Sequence, residues 1–337
     1  MSKKIKALVL YSGGLDSQLV IKILQEQKIE IVALHFILPF GTGCCSDQKC
    51  VLNFCQIAGV KLKLIDCAHG KNLKAYLKII KEPQHGHGAG INPCIDCRIF
   101  ILKKAKELMK KLNCDFIATG EVLGERPMSQ HLRALKLIEK QTDLEKKILR
   151  PLSAKLLEET EAEKKKLVNR QKLYNISGRR RLPQIELAKK YGLKNYPQPA
   201  GGCLLCDKEF TKRFKTMLKN FGNLDENNIE LLKLGRHFWS DNSLIIIGRD
   251  QEENKKLEQL AQKDDILLEL VKIPGPTALV RMSAFIMRNS DAIRGKAISE
   301  ETIQKAKDLI IKYVKKAQKI EEISFKKAAI DKKKKIR

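Results

Sequence analysis

The stretch Lys6-Ala7-Leu8-Val9-Leu10-Tyr11-Ser12-Gly13-Gly14-Leu15-Asp16-Ser17-Gln18-Leu19-Val20 decides the fold. Its apolar first part reads as a buried strand, its glycine pair as a turn, and Leu19, Val20, Ile23 and Leu24 as one face of a helix. Strand, glycine turn and helix together bind anions. The glycines admit close backbone approach, and the free N–H groups at the start of the helix point at the same place. Ser12 and Ser17 add hydroxyl groups, and Asp16 is a side chain that can hold magnesium between phosphate oxygens. No lysine follows the second glycine, so this is not the Gly-x-x-x-x-Gly-Lys-Ser/Thr loop. The plain alternative is a serine-glycine turn capped by Asp16.

Outward from this loop, strand-like and helix-like stretches alternate. Ile29 to Phe36, Leu62 to Asp66 and Phe116 to Thr119 read as a second, third and fourth strand. Strands separated by helices predict a parallel sheet whose ligands sit beyond the carboxyl ends of the strands. Ser12, His35 and Thr119-Gly120 fall at such ends, and His35 reads equally well as a packed residue without chemistry. Beyond Leu232 the pattern changes to strands at Ser243 to Gly248, Ile266 to Val271 and Ala278 to Met282, with a helix at Glu252 to Gln262. The expected fold class is therefore α/β, a parallel-sheet nucleotide-binding domain followed by a small α+β domain. The expected boundaries are 1–150 for the nucleotide domain, 151–235 for a connector with a second cysteine pair, 236–320 for the α+β module and 321–337 for a basic tail.

With 337 residues, 43% of them hydrophobic, the chain supports several domains with cores of their own. No run approaches eighteen apolar residues and the N-terminus lacks a signal-peptide core, which predicts a cytoplasmic protein with no membrane partner. A net charge of +27 and a pI near 9.7 point to a polyanionic partner, nucleic acid first. From Lys312 to Arg337 eleven Lys or Arg face three acids, and an amphipathic helix runs through Ile303, Ala306, Ile310, Val314 and Ala317. Lysine enrichment also arises as a solvated surface, so charge alone leaves the partner open.

Ten cysteines in a cytosolic chain read as ligands, reactive thiols or small core residues rather than disulfides. Cys50, Cys55 and Cys67 lie in apolar patterns and are expected in the core, while Cys44 and Cys45 follow a glycine loop. Cys94-Ile95-Asp96-Cys97-Arg98 opens an amphipathic helix, where a thiol beside arginine is expected to have a lowered pKa. Cys203-Leu204-Leu205-Cys206 supplies a second C-x-x-C pair about a hundred residues later, whereas a zinc ribbon closes within about twenty. That spacing predicts a long-range metal site joining two domains. His85 to Gly90 reads as a solvated active-site flap, Lys155 to Arg170 as a charged helical stretch, and Ser177-Gly178-Arg179-Arg180-Arg181 as a basic turn suited either to RNA phosphates or to solvent.

The Ser12 loop resembles that of the PP-loop ATP pyrophosphatases. With Gly43-Cys44-Cys45-Ser46, Asn92-Pro93-x-x-x-Cys97, Ala118-Thr119-Gly120 and Gly202-Cys203 in this order, the chain resembles the tRNA 2-thiouridylases from about Lys4 to Asp207. The resemblance implies ATP and Mg2+ at Ser12, Gly13, Gly14, Asp16, Ser17, Thr119 and Gly120, with Asp16, Cys97 and Cys203 as catalytic residues. Two departures stand out: Glu121 replaces the histidine common after Thr-Gly, and Cys94 is an extra thiol. Cys94, Cys97 and Cys203 together are similar to the three-cysteine set of iron–sulfur tRNA thiolases, implying a [4Fe–4S] cluster with one open iron; zinc held by both pairs is the alternative. The last third resembles the RNA-binding module of NFACT-type proteins. The implied activity is ATP-dependent tRNA uridine thiolation with tRNA and a sulfur donor protein or sulfide as partners. Two rivals are a PP-loop enzyme acting on a small molecule and a zinc-containing nucleic-acid-binding protein.

Overall fold

Along the first strand, alternate residues enter two different cores. In the computed structural model, which describes residues 4–41, 48–194, 196, 202–271, 273–283, 298–314 and 325–327, Ala7 and Val9 of β1 (Lys6–Leu10) face one helical layer, and Leu8 and Leu10 face the other. The same split recurs in β2 (Glu30–Ile37), with Ile31 and Ala33 on one side and Val32, Leu34 and Phe36 on the other. Both strands read as continuous apolar runs because both faces of a parallel sheet are covered. The chain divides into two compact units, 1–208 and 209–337.

The first unit runs β1, α1 (Leu15–Glu26), β2, α2 (Gln48–Ile57), β3 (Lys61–Asp66), α3 (Gly70–Lys81), α4 (Cys94–Lys111), β4 (Phe116–Thr119), α5 (Leu132–Thr142), β5 (Ile148–Leu149), α6 (Glu161–Lys164) and α7 (Leu182–Lys190). Its five strands are all parallel, in the order β3-β2-β1-β4-β5. Strand order reverses beside β1, so the loops leaving β1 and β4 part around one crevice. Residues beyond β5 complete the same core, since Ala154, Ala162, Val168, Leu173, Ile176 and Leu187 pack with Leu15, Leu19 and Val20 of α1. The charged stretch 155–170 is not one helix. A capping box at Thr160 and Glu163 starts α6 late, and Lys166, at φ 53°, ends it after one turn.

The second unit runs α8 (Lys208–Phe221), α9 (Glu226–Lys233), β6 (Arg236–Ser240), β7 (Ser243–Ile247), α10 (Gln251–Leu260), β8 (Ile266–Leu270), β9 (Ala278–Met282), α11 (Glu300–Tyr313) and β10 (Phe325–Lys327). Its sheet is antiparallel, in the order β10-β8-β9-β7-β6. Ile245, Ile247, Leu268, Ala278 and Val280 pack against Ala306 and Ile310 of α11, each buried large side chain contributing about 1.5–3 kcal/mol. Buried Arg281 ties β9 to Asp265 at 2.5 Å and to Asn227 of α9 at 2.6 Å. Among the described residues, no helix is long and apolar enough to cross a membrane.

Candidate active site

The loop after β1 is braced by its own side chains. Ser17 Oγ donates to the Gly14 carbonyl at 2.7 Å, Gln18 Nε2 donates to the Gly13 carbonyl at 3.1 Å, and Gly13 takes φ 88°, the left-handed region open to glycine. Leu15 to Ser17 open α1, so their N–H groups have no carbonyl of their own helix, and no side chain caps Gly14. Gly120, beyond β4, presses on this loop. A Cβ there would stand 2.8 Å from both the Asp16 carbonyl carbon and the Ser17 nitrogen, so glycine is required by contact.

Beside the loop lies a cavity of about 280 Å³. Ser12, Gly14, Asp16, Ser17, Thr119 and Gly120 line it, and so do Cys94, Cys97 and Cys203. Gly13 is buried within the loop, and Cys206 is not in the lining. Both cysteine pairs belong to the first unit, so the expected joint between domains is instead a junction within one. Cys203 is drawn in by three contacts: Leu204 N–H to the Phe40 carbonyl at 3.0 Å, Cys203 Sγ–H to the same carbonyl at 3.2 Å, and Ile91 N–H to the Leu205 carbonyl at 2.9 Å.

Burial dominates the thiols. It pushes Cys203 up to about 12 and raises Cys97, against the opposing pull of the Tyr76 hydroxyl and Arg98. The expected net lowering is thus overturned, because burial outweighs the pull of Arg98, whose guanidinium also pairs with Glu121, 3.3 Å away. Glu121 is buried and also meets Arg150 at 3.0 Å, and Arg150 reaches Glu139 at 2.5 Å. Burial would raise the Glu121 carboxyl, but the two arginines hold it below the ordinary glutamate range. Losing one member of such a buried set costs about 3–5 kcal/mol, so the two arginines require an acid at position 121.

Each thiol has its own neighbour. Tyr76, buried on α3, lies 3.3 Å from Cys97 Sγ, and Asn92 Nδ2 donates to Cys94 Sγ at 3.1 Å. Among the described residues no three His, Cys, Asp or Glu form a preassembled metal site, since each sulfur is turned to a different partner. The donor chemistry nevertheless suits a thiophilic group: three thiols border one cavity, two of them held protonated by burial, and coordination would deprotonate them. Cys55 and Cys67 are buried as expected, whereas Cys44, Cys45, the Cys50 side chain, Pro199 to Gly201 and the tail from Ala328 lie outside the described residues.

The segment His85 to Gly90 does not border the cavity. It is largely exposed but tied down, because Asp96 accepts from the N–H groups of Gln84 and His85 at 3.1 Å and His87 Nε2–H donates to the Ile80 carbonyl at 2.8 Å. His35 is buried at the end of β2. Its Nδ1–H donates to the Tyr11 carbonyl at 2.9 Å, which leaves Nε2 as an unprotonated acceptor without a protein partner. Burial lowers its pKa and keeps the ring neutral.

Residues 3–177, more than half of the chain, match the family model described as thiamine biosynthesis protein (ThiI). The chain belongs to the ThiI family. Residues 235–337 match a model described as the NFACT protein RNA binding domain. A tRNA-specific 2-thiouridylase MnmA of Rippkaea orientalis is 27% identical over 69% of this chain and 64% of its own length. One from Petrotoga mobilis is 30% identical over 36% of each chain, and a probable tRNA sulfurtransferase of Alkaliphilus metalliredigens is 29% identical over 44% of this chain and 36% of its own. The chain thus spans between about a third and two thirds of the length of these curated relatives. A solved U34-tRNA thiolase, NcsA from Methanococcus maripaludis with its [4Fe–4S] cluster, aligns over 65% of this chain and 68% of its own at 19% identity and a TM-score of 0.34.

Within the ThiI match, no motif marks Tyr76 or Glu125, both of which border the cavity. Tyr76 carries no local signal, since a tyrosine at helical spacing reads as core. Arg181 lies just past the ThiI match and turns inward, 3.8 Å from Asp16, while Arg179 and Arg180 stay exposed.

Proposed function

We propose that this ThiI-family protein thiolates a tRNA uridine in the cytoplasm in an ATP-dependent reaction. One observation carries the reading: the anion-binding loop and three thiols open into a single cavity. A uridine carbonyl is a poor electrophile, so its oxygen must first become a leaving group. That oxygen attacks the α-phosphorus of ATP, a new P–O bond forms, and the bond to pyrophosphate breaks. The N–H groups opening α1 and the hydroxyls of Ser12 and Ser17 are suited to hold the departing charge.

Asp16 suits a magnesium ion, since its Oδ1 is buried without a hydrogen-bond partner; a bound ion would neutralise phosphate charge. Thr119 and Gly120 back the nucleotide at the end of β4, and His35 Nε2 offers an acceptor to a donor group on it. Sulfur then attacks the activated carbon, the carbon–oxygen bond breaks and AMP leaves. Carried as a persulfide on Cys97 or Cys203, the outer sulfur would bond to that carbon. The other thiol would then break the S–S bond, releasing the thiolated base and leaving a Cys97–Cys203 disulfide for an external thiol to reduce. Burial excludes water that would otherwise hydrolyse the activated base. A [4Fe–4S] cluster held by Cys94, Cys97 and Cys203 would supply an iron with an open position for sulfide. The module from residue 235, with 23 Lys and Arg against 15 acids, adds to the charge that holds the tRNA, whose target base must leave its stack to enter the cavity.

The test is pyrophosphate release from ATP with and without tRNA, followed by mass spectrometry of the nucleosides. Release that depends on tRNA and yields a thiolated uridine supports the reading. Release that ignores tRNA but follows a small acceptor moves the chain to the small-molecule class.

A further inference from the structure

We propose that Arg181 and Gln184 are positioning residues that hold the Asp16 carboxylate ready for a divalent cation. The inference rests on the nucleotide reading above. It concerns α7, whose residues lie beyond the ThiI match and do not line the cavity.

Four polar side-chain atoms at this one place have no partner at full hydrogen-bond geometry: Asp16 Oδ1, Arg181 Nε and both amide atoms of Gln184, whose amide nevertheless stands near enough to the Asp16 carboxylate to interact with it. All four are buried, and Gln184 is entirely shielded from solvent. Proteins rarely leave buried polar groups unpaired, and clusters of them mark sites completed by a water or an ion. Arg181 Nη2 lies 3.8 Å from Asp16 Oδ2, an ion pair too long for a hydrogen bond. The Gln184 amide faces the same carboxylate. One carboxylate oxygen is therefore attended by the guanidinium, and the other, Oδ1, is left open. That is the arrangement for a monodentate cation ligand whose charge must be kept in place while the cation is away.

The scaffold around these residues fixes the geometry. Leu187 and Ala188 of α7 share a core with Leu15 and Leu19 of α1, and Tyr191 Oη donates to Glu26 at 2.6 Å at the far end of α1. The turn before α7 is joined to the cavity rim, since Gly178 N–H donates to the Leu123 carbonyl at 2.7 Å, two residues from Glu125. Neither Arg181 nor Gln184 reaches the cavity, so both act through Asp16.

The test measures ATP affinity by calorimetry across a magnesium series and in EDTA, together with the melting temperature without nucleotide. Arg181→Met keeps the packed stem and removes the charge, while Gln184→Leu keeps the volume and removes the two unpaired atoms. Both should raise the magnesium concentration for half-maximal effect about 10- to 100-fold, the usual cost of losing a group that orients a metal ligand. Affinity in EDTA should not change, and Gln184→Leu should melt no lower than the wild type, because it removes unpaired polar groups without opening a cavity. Arg181→Lys should recover part of the magnesium dependence, which separates positioning from lost packing. A wild-type magnesium dependence retained in both variants overturns the inference alone. Equal losses with and without magnesium mean that Arg181 meets the nucleotide directly, and also overturn it. Wild-type ATP binding indifferent to magnesium overturns the reading of Asp16 and this inference with it.

Discussion

Gly120 and Cys206 are the two residues at which a single side chain separates models. At Gly120 even one methyl group meets the backbone of the nucleotide loop at 2.8 Å, and backbone cannot swing aside as a flexible side chain would. Gly120→Ala should therefore displace Asp16 and Ser17 by a few tenths of an ångström or more and weaken ATP binding, with the overall fold intact. Misplacement by about 1 Å costs on the order of 100-fold in such sites. Calorimetry checks the affinity and circular dichroism the fold; unchanged affinity would remove the loop from the nucleotide site. At Cys206 the cluster and zinc models part. Cys206 lies outside the cavity lining that Cys94, Cys97 and Cys203 share, so Cys206→Ser should keep iron and activity in anaerobic protein, while Cys94→Ser should lose both. Stoichiometric zinc that is lost with Cys206→Ser favours the four-thiol site instead.

Strand β6 shows how a pH response is built into one element. His237 Nε2–H is shared between the carbonyls of Leu231 and Leu234 at 3.1 and 3.0 Å, fastening β6 to the end of α9. Burial, helped by Arg213, holds its pKa at about 4, below the ordinary 6.5. A depressed histidine favours the neutral folded form, so its contribution is complete above pH 6.5 and is lost as pH falls towards 4. The span corresponds to about 3 kcal/mol. Trp239, the sole tryptophan of the chain, sits two residues away on the same strand and reports the unfolding of this unit. Urea midpoints read from its fluorescence should fall between pH 6.5 and 4 in the wild type, and much less in His237→Phe. A parallel fall in the variant would assign the response to other groups.

Across the whole molecule, the chemistry is confined to one unit while both units are basic, with 38 Lys and Arg against 20 acids in residues 1–208 and 28 against 19 in residues 209–337. The cavity is built entirely within residues 1–208, whereas the eleven Lys and Arg from Lys312 onward lie in the segment matching the RNA-binding model. Removing residues 235–337 should leave ATP affinity near the wild-type value. It should also weaken tRNA binding and flatten its dependence on salt, because the log–log slope falls by about 0.7–0.9 for every phosphate that is no longer neutralised. Filter binding at several salt concentrations checks the slope. Equal slopes for the full and shortened chains would place the RNA contacts in residues 1–234.

Local chemistry alone determined much of this protein. The strand–glycine–helix entry, the four long strands of the first unit and the cysteine pairs are written in runs of apolar residues and in residue types that serve few other purposes. Strand β6 carries no such signal, because Arg236-His237-Phe238-Trp239-Ser240 has no apolar run, and β5 is only two residues long. Tertiary structure decided which partner each charge meets. Arg98 stands next to Cys97 in the chain but turns to Glu121, and Arg181 sits among arginines suited to RNA yet reaches back to Asp16. Burial likewise reversed the expected effect on Cys97. The reason is physical: periodicity and turn chemistry act between neighbours in sequence, whereas desolvation and ion pairing depend on which groups folding brings within a few ångströms.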